Sequence, residues 1–228
     1  MKIKDLLITL YHHPVIERFF PTTVSCLKNS LSDCETILDL GCGADSPLQF
    51  CKNVKYSVGV ETFKPYINIS KKKKIHNKYI NKRLLSVSFP SESFDAVVIL
   101  EVIEHLKEKD GYTLLKKINK WAKKKIIIST PNGYIEQQEV DHNPFQKHLS
   151  GWNAKKLGKM GFKIFGLAGL KFLRTGRVHD TKDADLTSSI RFRPHLFWFV
   201  IAAISQLFTY RYPKFAFELF CVKNLKEY

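Results

Sequence analysis

The run Ile37-Leu38-Asp39-Leu40-Gly41-Cys42-Gly43-Ala44-Asp45-Ser46-Pro47 decides the fold. Apolar residues around one Asp read as a short buried strand. A Gly-x-Gly turn follows, and Asp45-Ser46-Pro47 carries a capping residue and then the proline that a first helical turn tolerates. A glycine turn between strand and helix lets a ligand approach bare backbone at the carboxyl edge of a sheet. An ordinary tight turn would use the same letters, so the segments that follow have to separate the two readings.

They do so by position. Tyr56-Ser57-Val58-Gly59-Val60-Glu61 is a second short strand ending in an acid. It lies about 20 residues past the glycines, where a nucleotide fold places a carboxylate for ribose hydroxyls. Phe94-Asp95-Ala96-Val97-Val98-Ile99-Leu100-Glu101 is a further strand, again closed by an acid. A dinucleotide site would want a third glycine to seat the helix against pyrophosphate, and that position is Ser46.

From about Thr36 to Phe165 the ordered motifs resemble the class I S-adenosylmethionine-dependent methyltransferases, of the type 11 and quinone-biosynthesis kind. S-adenosylmethionine has no phosphate, so the missing glycine matters less. The resemblance implies a Rossmann-like, doubly wound α/β sheet of about seven strands. Its last strand is antiparallel, a helical cap precedes the core, and here a helix is inserted before the last strand. It also implies cofactor roles. Gly41, Cys42 and Gly43 form the turn beside the methionine and ribose part, Asp39 fixes that turn or the amino group, and Glu61 with Thr62 takes the ribose. Family members often carry an Asp near the adenine, and counting back from Phe89 that position is Arg83. An arginine cannot accept the adenine amino hydrogen bond, so backbone groups of Leu84 or Leu85 would have to serve.

Glu101, Glu104 and His105 form a second constellation. On a helix their i, i+3 and i+4 spacing shares one face, and carboxylate and imidazole ligands together can hold a divalent metal. With His148 supplying another imidazole, this set resembles the small-RNA 3′-terminal 2′-O-methyltransferases. The commoner use of such a motif is cofactor contact and lid packing, with Glu101 or His105 as cofactor contact or proton acceptor. The metal-free reading is therefore preferred. His142, next to Asp141, reads as a turn residue.

Composition bounds the partners. The 228 residues suit a single methyltransferase domain, divided as 1–35 helical cap, 36–169 cofactor-binding core, and 170–228 substrate-side insertion and last strand. The net charge of +16 favours RNA or an anionic membrane surface as a contact. Five cysteines without a C-x-x-C pair read as reduced thiols, hence a cytoplasmic protein, with a place at the periphery of a membrane as the variant of that reading. The longest apolar run, Leu196 to Phe208, is shorter than the ~20 residues a membrane span needs.

The remaining elements follow in order. Helical spacing at Ile3, Leu6, Leu7 and Leu10 predicts short N-terminal helices, with Tyr11, His12 and His13 in a solvated turn. Helices are expected over Pro47–Asn53, Phe63–Ile75, about Lys109–Lys124, Asn153–Met160 and Leu196–Leu207. Lys71 to Lys74 reads as a solvated helix end. The long loop from Tyr134 to Trp152 reads as a lid or binding surface, and Arg174 to Asp180 as a mobile basic loop. The function that fits is methyl transfer from S-adenosylmethionine to O or N of a small, hydrophobic or lipid-linked acceptor. The alternatives are a metal-assisted RNA ribose 2′-O-methyltransferase and a catalytically idle cofactor-fold binding protein. Neither the acceptor nor the oligomeric state is legible.

Overall fold

The computed structural model of the chain describes residues 20–176 and 187–225. The helices expected in 1–19, with Tyr11, His12 and His13, and the Arg177–Asp180 part of the basic loop lie outside the described residues. Seven strands form one sheet in the order β3-β2-β1-β4-β5-β7-β6. They are β1 Thr36–Leu40, β2 Tyr56–Val60, β3 Lys78–Ile80, β4 Phe94–Leu100, β5 Ala122–Pro131, β6 Lys163–Leu170 and β7 Ala216–Asn224. The first five pair in parallel, while β7 runs antiparallel to both β5 and β6.

Strand β1 lies between β2 and β4, so the chain leaves it first to one side and later to the other. The loops after β1 and β4 therefore separate, and a crevice opens at their carboxyl ends. Both faces of these strands are covered. Leu38, Leu40, Val97 and Ile99 belong to one core cluster, and Ile37, Ala96, Val98 and Ile127 to the other. That two-sided burial explains their near-continuous apolar letters.

The helices are α1 Thr23–Ser30, α2 Lys64–Lys73, α3 Glu108–Trp121, α4 Ala154–Gly158 and α5 His195–Thr209. Leu114, Ile118 and Trp121 of α3 are buried as their spacing predicts, and Asn153 caps α4 by accepting from Lys156 N at 2.9 Å. Lys71 to Lys74 are exposed at the end of α2. Between β6 and β7 lies α5, the inserted helix.

Two expectations need correction. The segment Pro47–Asn53 is not an α-helix but a single 3-10 turn, Pro47–Phe50. Asn53 explains the early stop, because its amide donates to the carbonyls of Leu31 and Cys34 and turns the chain back at once. Glu101, Glu104 and His105 do not share an α-helical face either. Ile103–His105 is one 3-10 turn, and Glu101 stands before it with φ +52°.

Trp152 ties the long loop to this turn. Its ring is fully buried, and its Nε1 donates to Ser150 Oγ at 2.9 Å and Ile103 O at 3.3 Å. Gly111 leaves room for it: a Cβ there would stand 2.4 Å from Trp152 Cζ2. Trp152→Ala is expected to cost about 3–5 kcal/mol of unfolding free energy, measured by urea titration.

Candidate active site

The glycine turn meets the sequence's requirements through backbone shape. Gly41 has φ +74° and Gly43 φ +58°, a region costly for side chains with a Cβ. A Cβ on Gly41 would stand 2.4 Å from Val102 Cγ2, so the β1 turn packs on the segment after β4. A Cβ on Gly43 would meet nothing within 4 Å. The space above that backbone is open.

That space is a cavity of about 290 Å³ whose walls include Gly41, Gly43, Glu61, Thr62, Leu84, Leu85, Glu101 and His105. Glu61, at the end of β2, closes one side. Its carboxylate accepts from Gly43 N at 3.0 Å and Phe63 N at 2.7 Å, which fixes it towards the turn. Burial raises its pKa, against the lowering effect of those bonds.

Asp39 and Cys42 lie behind the turn and do not line this cavity. Asp39 accepts from Ser46 Oγ at 2.5 Å and lies 3.5 Å from His76 Nε2. Burial lowers His76 to about 4 and raises Asp39 to about 7, so the contact is not an ion pair at neutral pH. Of the two roles expected for Asp39, the geometry supports fixing the turn. Cys42 packs under β2, its Sγ 2.9 Å from where a Cβ on Gly59 would be, and burial holds its thiol far up.

Arg83 lines the cavity, next to Leu84 and Leu85. The Leu85 carbonyl already accepts from Lys117 Nζ. Asp110, in the first turn of α3, lines the same cavity and brings a carboxylate to it. Sequence reading missed Asp110, because it lies outside the strand-end pattern and reaches the crevice only through the packing of α3.

A second cavity, about 430 Å³, adjoins the first. Its walls include Glu101, Glu104, His105, His148, Arg174 and Glu218. Glu101, His105 and Gln146 line both cavities, so these residues stand where the two spaces meet. A larger cleft, about 620 Å³, continues outward past Ile135 and Arg174 and contains none of the strand-end carboxylates of β2 and β4.

The junction is chemically unusual. Ser129 Oγ donates to Glu101 at 2.7 Å, and Thr130 Oγ1 donates to Glu104 Oε2 at 3.0 Å. Glu104 is buried, and its Oε1 has no protein partner. Glu101 is open to the pocket space, with protein packed densely around its carboxyl. Burial, then the nearby Glu104 and Glu218 charges, raises it well above the carboxylate range. Burial raises Glu104 to about 7. His148 is drawn in from the long loop, with Nδ1 2.7 Å from Ile135 O, and its ring lies 4.9 Å from that of His105. Candidate ligand atoms of Glu104, His105 and His148 all lie within 4.8 Å of one another. Glu101, the fourth residue of the expected set, is not in that group. His142, by contrast, is exposed. Glu218 was also missed by sequence reading, since a lone acid in a late strand carries no signal until β7 pairs with β5.

Residues 38–128 match a family model described as a methyltransferase domain. Solved structures add the fold. A SAM-dependent methyltransferase from Archaeoglobus fulgidus is 18% identical, with 92% of this chain and 98% of that one covered and a TM-score of 0.54. The methyltransferase domain of bacterial CtHen1 is 16% identical, covering 88% and 96%, with a TM-score of 0.52. N-methyltransferase NodS from Bradyrhizobium japonicum WM9 is 14% identical, covering 95% and 99%, with a TM-score of 0.55.

Residues 38–128 thus match a methyltransferase domain, and the fold around them is that of these structures.

None of the curated proteins matches the sequence. In this chain the antiparallel β5-β7-β6 edge carries Glu218 to the junction.

The raised carboxyls have a measurable consequence. A carboxyl whose folded pKa exceeds its unfolded value binds more protons in the folded state, so stability falls as pH rises between the two values. For Glu104 that window runs from its ordinary 4.5 to about 7. His105, lowered to about 4, acts in the opposite sense below its ordinary 6.5. The difference between two proteins cancels the His105 contribution and reports Glu104 together with its effect on Glu101. Relative to the parent, Glu104→Gln should gain stability from pH 5 to pH 8, on the order of a few kcal/mol, in denaturant titrations at both pH values.

Proposed function

We propose that the protein transfers the methyl group of S-adenosylmethionine to an oxygen or nitrogen of an acceptor held in the second cavity. One observation carries this reading: the cavity over the glycine turn and the cavity walled by Glu104 and His148 meet at Glu101 and His105. Methyl transfer is an in-line displacement, and catalysis there is largely a matter of holding donor and acceptor in near-attack geometry. Two spaces with a shared wall supply that arrangement.

The cofactor's chemistry fits the residues present. Bare backbone at Gly41 and Gly43 allows close approach, and Glu61 offers a fixed carboxylate for ribose hydroxyls. Asp110 provides the side-chain acceptor for the adenine amino group that Arg83 cannot. Bound there, the cofactor supplies an electrophilic methyl. The chain's own part is to orient the acceptor and receive its proton. His105 offers the imidazole there, and burial leaves it unprotonated down to about pH 4, with a ring nitrogen free to accept at a cost in basicity.

Calorimetry with S-adenosylhomocysteine tests the cofactor reading. Glu61→Ala should weaken binding roughly 10- to 100-fold, the value of a hydrogen bond to a charged group. Asp110→Ala should weaken it by a smaller factor. No binding by the parent protein, or equal binding by Glu61→Ala, would refute the assignment.

A second reading is favoured by one specific observation, the unpartnered Glu104 Oε1 beside His105 and His148. Carboxylate and imidazole donors that close suit a divalent cation. Glu104, His105 and His148 would hold it, and the cation would orient vicinal hydroxyls of an acceptor such as a terminal RNA ribose. Manganese binding followed by calorimetry above pH 7 should be lost in His148→Ala, while affinity for S-adenosylhomocysteine stays within about twofold. Equal manganese binding by parent and variant would leave the metal-free reading, with a small acceptor.

A further inference from the structure

Helix α5 is apolar on both faces. Inward, Trp198, Phe199, Ile201 and Ala202 pack with Leu173 and Ile190, and a few polar side chains tie the helix to the body. Gln206, 2% exposed, accepts from Ala168 N at 2.8 Å and donates to Pro21 O at 2.7 Å. Ser205 Oγ accepts from Leu170 N at 2.9 Å, and Thr209 is fully buried. Its outward residues are apolar. Phe197, Val200, Ile204, Leu207 and Phe208 fall on one helical stripe, with Phe197 56%, Ile204 52% and Leu207 51% exposed. An ordinary surface helix has a polar outer face, and a contiguous exposed apolar stripe marks an interaction surface.

The charges around the stripe indicate what covers it. Arg191 and Arg193 precede the helix, Arg211 and Lys214 follow it, and all four are exposed. From Leu186 through Phe217 the sequence contains no Asp or Glu. Two copies joined through this face would bring like charges together with no acid from this stretch to offset them. A surface with an apolar interior and an anionic rim satisfies both features at once. The helix has 15 residues, about 22 Å of rise, against about 30 Å of bilayer hydrocarbon. Among the described residues no helix is long and apolar enough to cross a membrane. An apolar face with basic flanks on a helix of this length is the pattern of one that lies in the interfacial plane.

We propose that the outward face of α5 docks the protein on an anionic lipid bilayer, with Phe197, Ile204 and Phe208 in the acyl boundary and the four cations at the headgroups. This inference does not depend on the reaction catalysed. It places the β6–α5 side of the sheet against the bilayer. The cleft that Phe199 and Gln206 line is on that side, and it shares Ala168, Arg174 and Glu218 with the second cavity.

Flotation of the full chain with phosphatidylcholine vesicles, with and without about 30% phosphatidylglycerol, tests it. Binding should require the anionic lipid and weaken with salt. The exposed substitutions Ile204→Glu with Phe208→Glu, and separately Arg193→Gln with Arg211→Gln, should each reduce it about tenfold or more. A second readout is local. Trp121 is 4% exposed and Trp152 fully buried, so brominated lipid should quench chiefly Trp198 on α5. Absence of binding to anionic vesicles would overturn the proposal, as would binding that both pairs leave unchanged while Lys72→Gln with Lys73→Gln abolishes it, because the general positive charge would then be responsible. Sedimentation showing a dimer that Ile204→Glu with Phe208→Glu dissociates, without vesicle binding, would assign the face to a second copy instead.

Discussion

The structure depends on one constraint, the central position of β1. Chain leaves β1 for β2 and β3 on one side and returns through β4 and β5 on the other, so the loops at the ends of β1 and β4 diverge. The crevice is a consequence of strand order, and the side chains only furnish it. Gly41 and Val102 show how closely the two loops still approach at its floor: Val102 occupies the space that a Cβ on Gly41 would need. Glu61 reaches the same place from the end of β2, and Glu101 from the end of β4.

Charge is concentrated where the sheet can least solvate it. Glu101, Glu104 and Glu218 come from β4, the turn after it and β7, and burial is the leading cause of the raised pKa of each. Hydroxyls from Ser129, Thr130 and Thr23 each donate to one of them. Carboxyls hemmed in by protein with so few partners are costly to ionise, and perturbed groups of this kind cluster at functional sites. Glu101 adds backbone strain at the same point, since a non-glycine residue at φ +52° is held there by its surroundings.

What was legible in the sequence was what local pattern determines. The strand-turn-strand spacing around Gly41 and Glu61 specified the end of the sheet where the crevice opens, and the Leu114, Ile118, Trp121 stripe specified α3. The 3-10 turn at Pro47–Phe50 was not legible, because Asn53 ends it through carbonyls of Leu31 and Cys34, distant in sequence. His148 could be named as a partner of Glu104 only by resemblance, since folding of the long loop over Ile103 through Trp152 brings it in. Asp110 and Glu218 were missed for a related reason: each reaches the site through tertiary packing of an element whose own pattern is ordinary. The polarity of α5 was also hidden. Its letters are apolar nearly all round, and only the packing of Trp198, Phe199, Ile201 and Ala202 against Leu173 and Ile190 shows which apolar residues are left outward.

The central claim is that the crevice at the carboxyl ends of β1, β2 and β4 holds the methyl donor. Hydrogen exchange with and without saturating S-adenosylhomocysteine measures this directly, residue segment by residue segment. The account predicts added protection in the peptides spanning 41–43, 61–63, 83–85 and 101–106, with the strands of the β7–β6 edge unchanged. Protection confined to the outer cleft around Lys171 and Phe172, or none in these four segments at saturation, would contradict it.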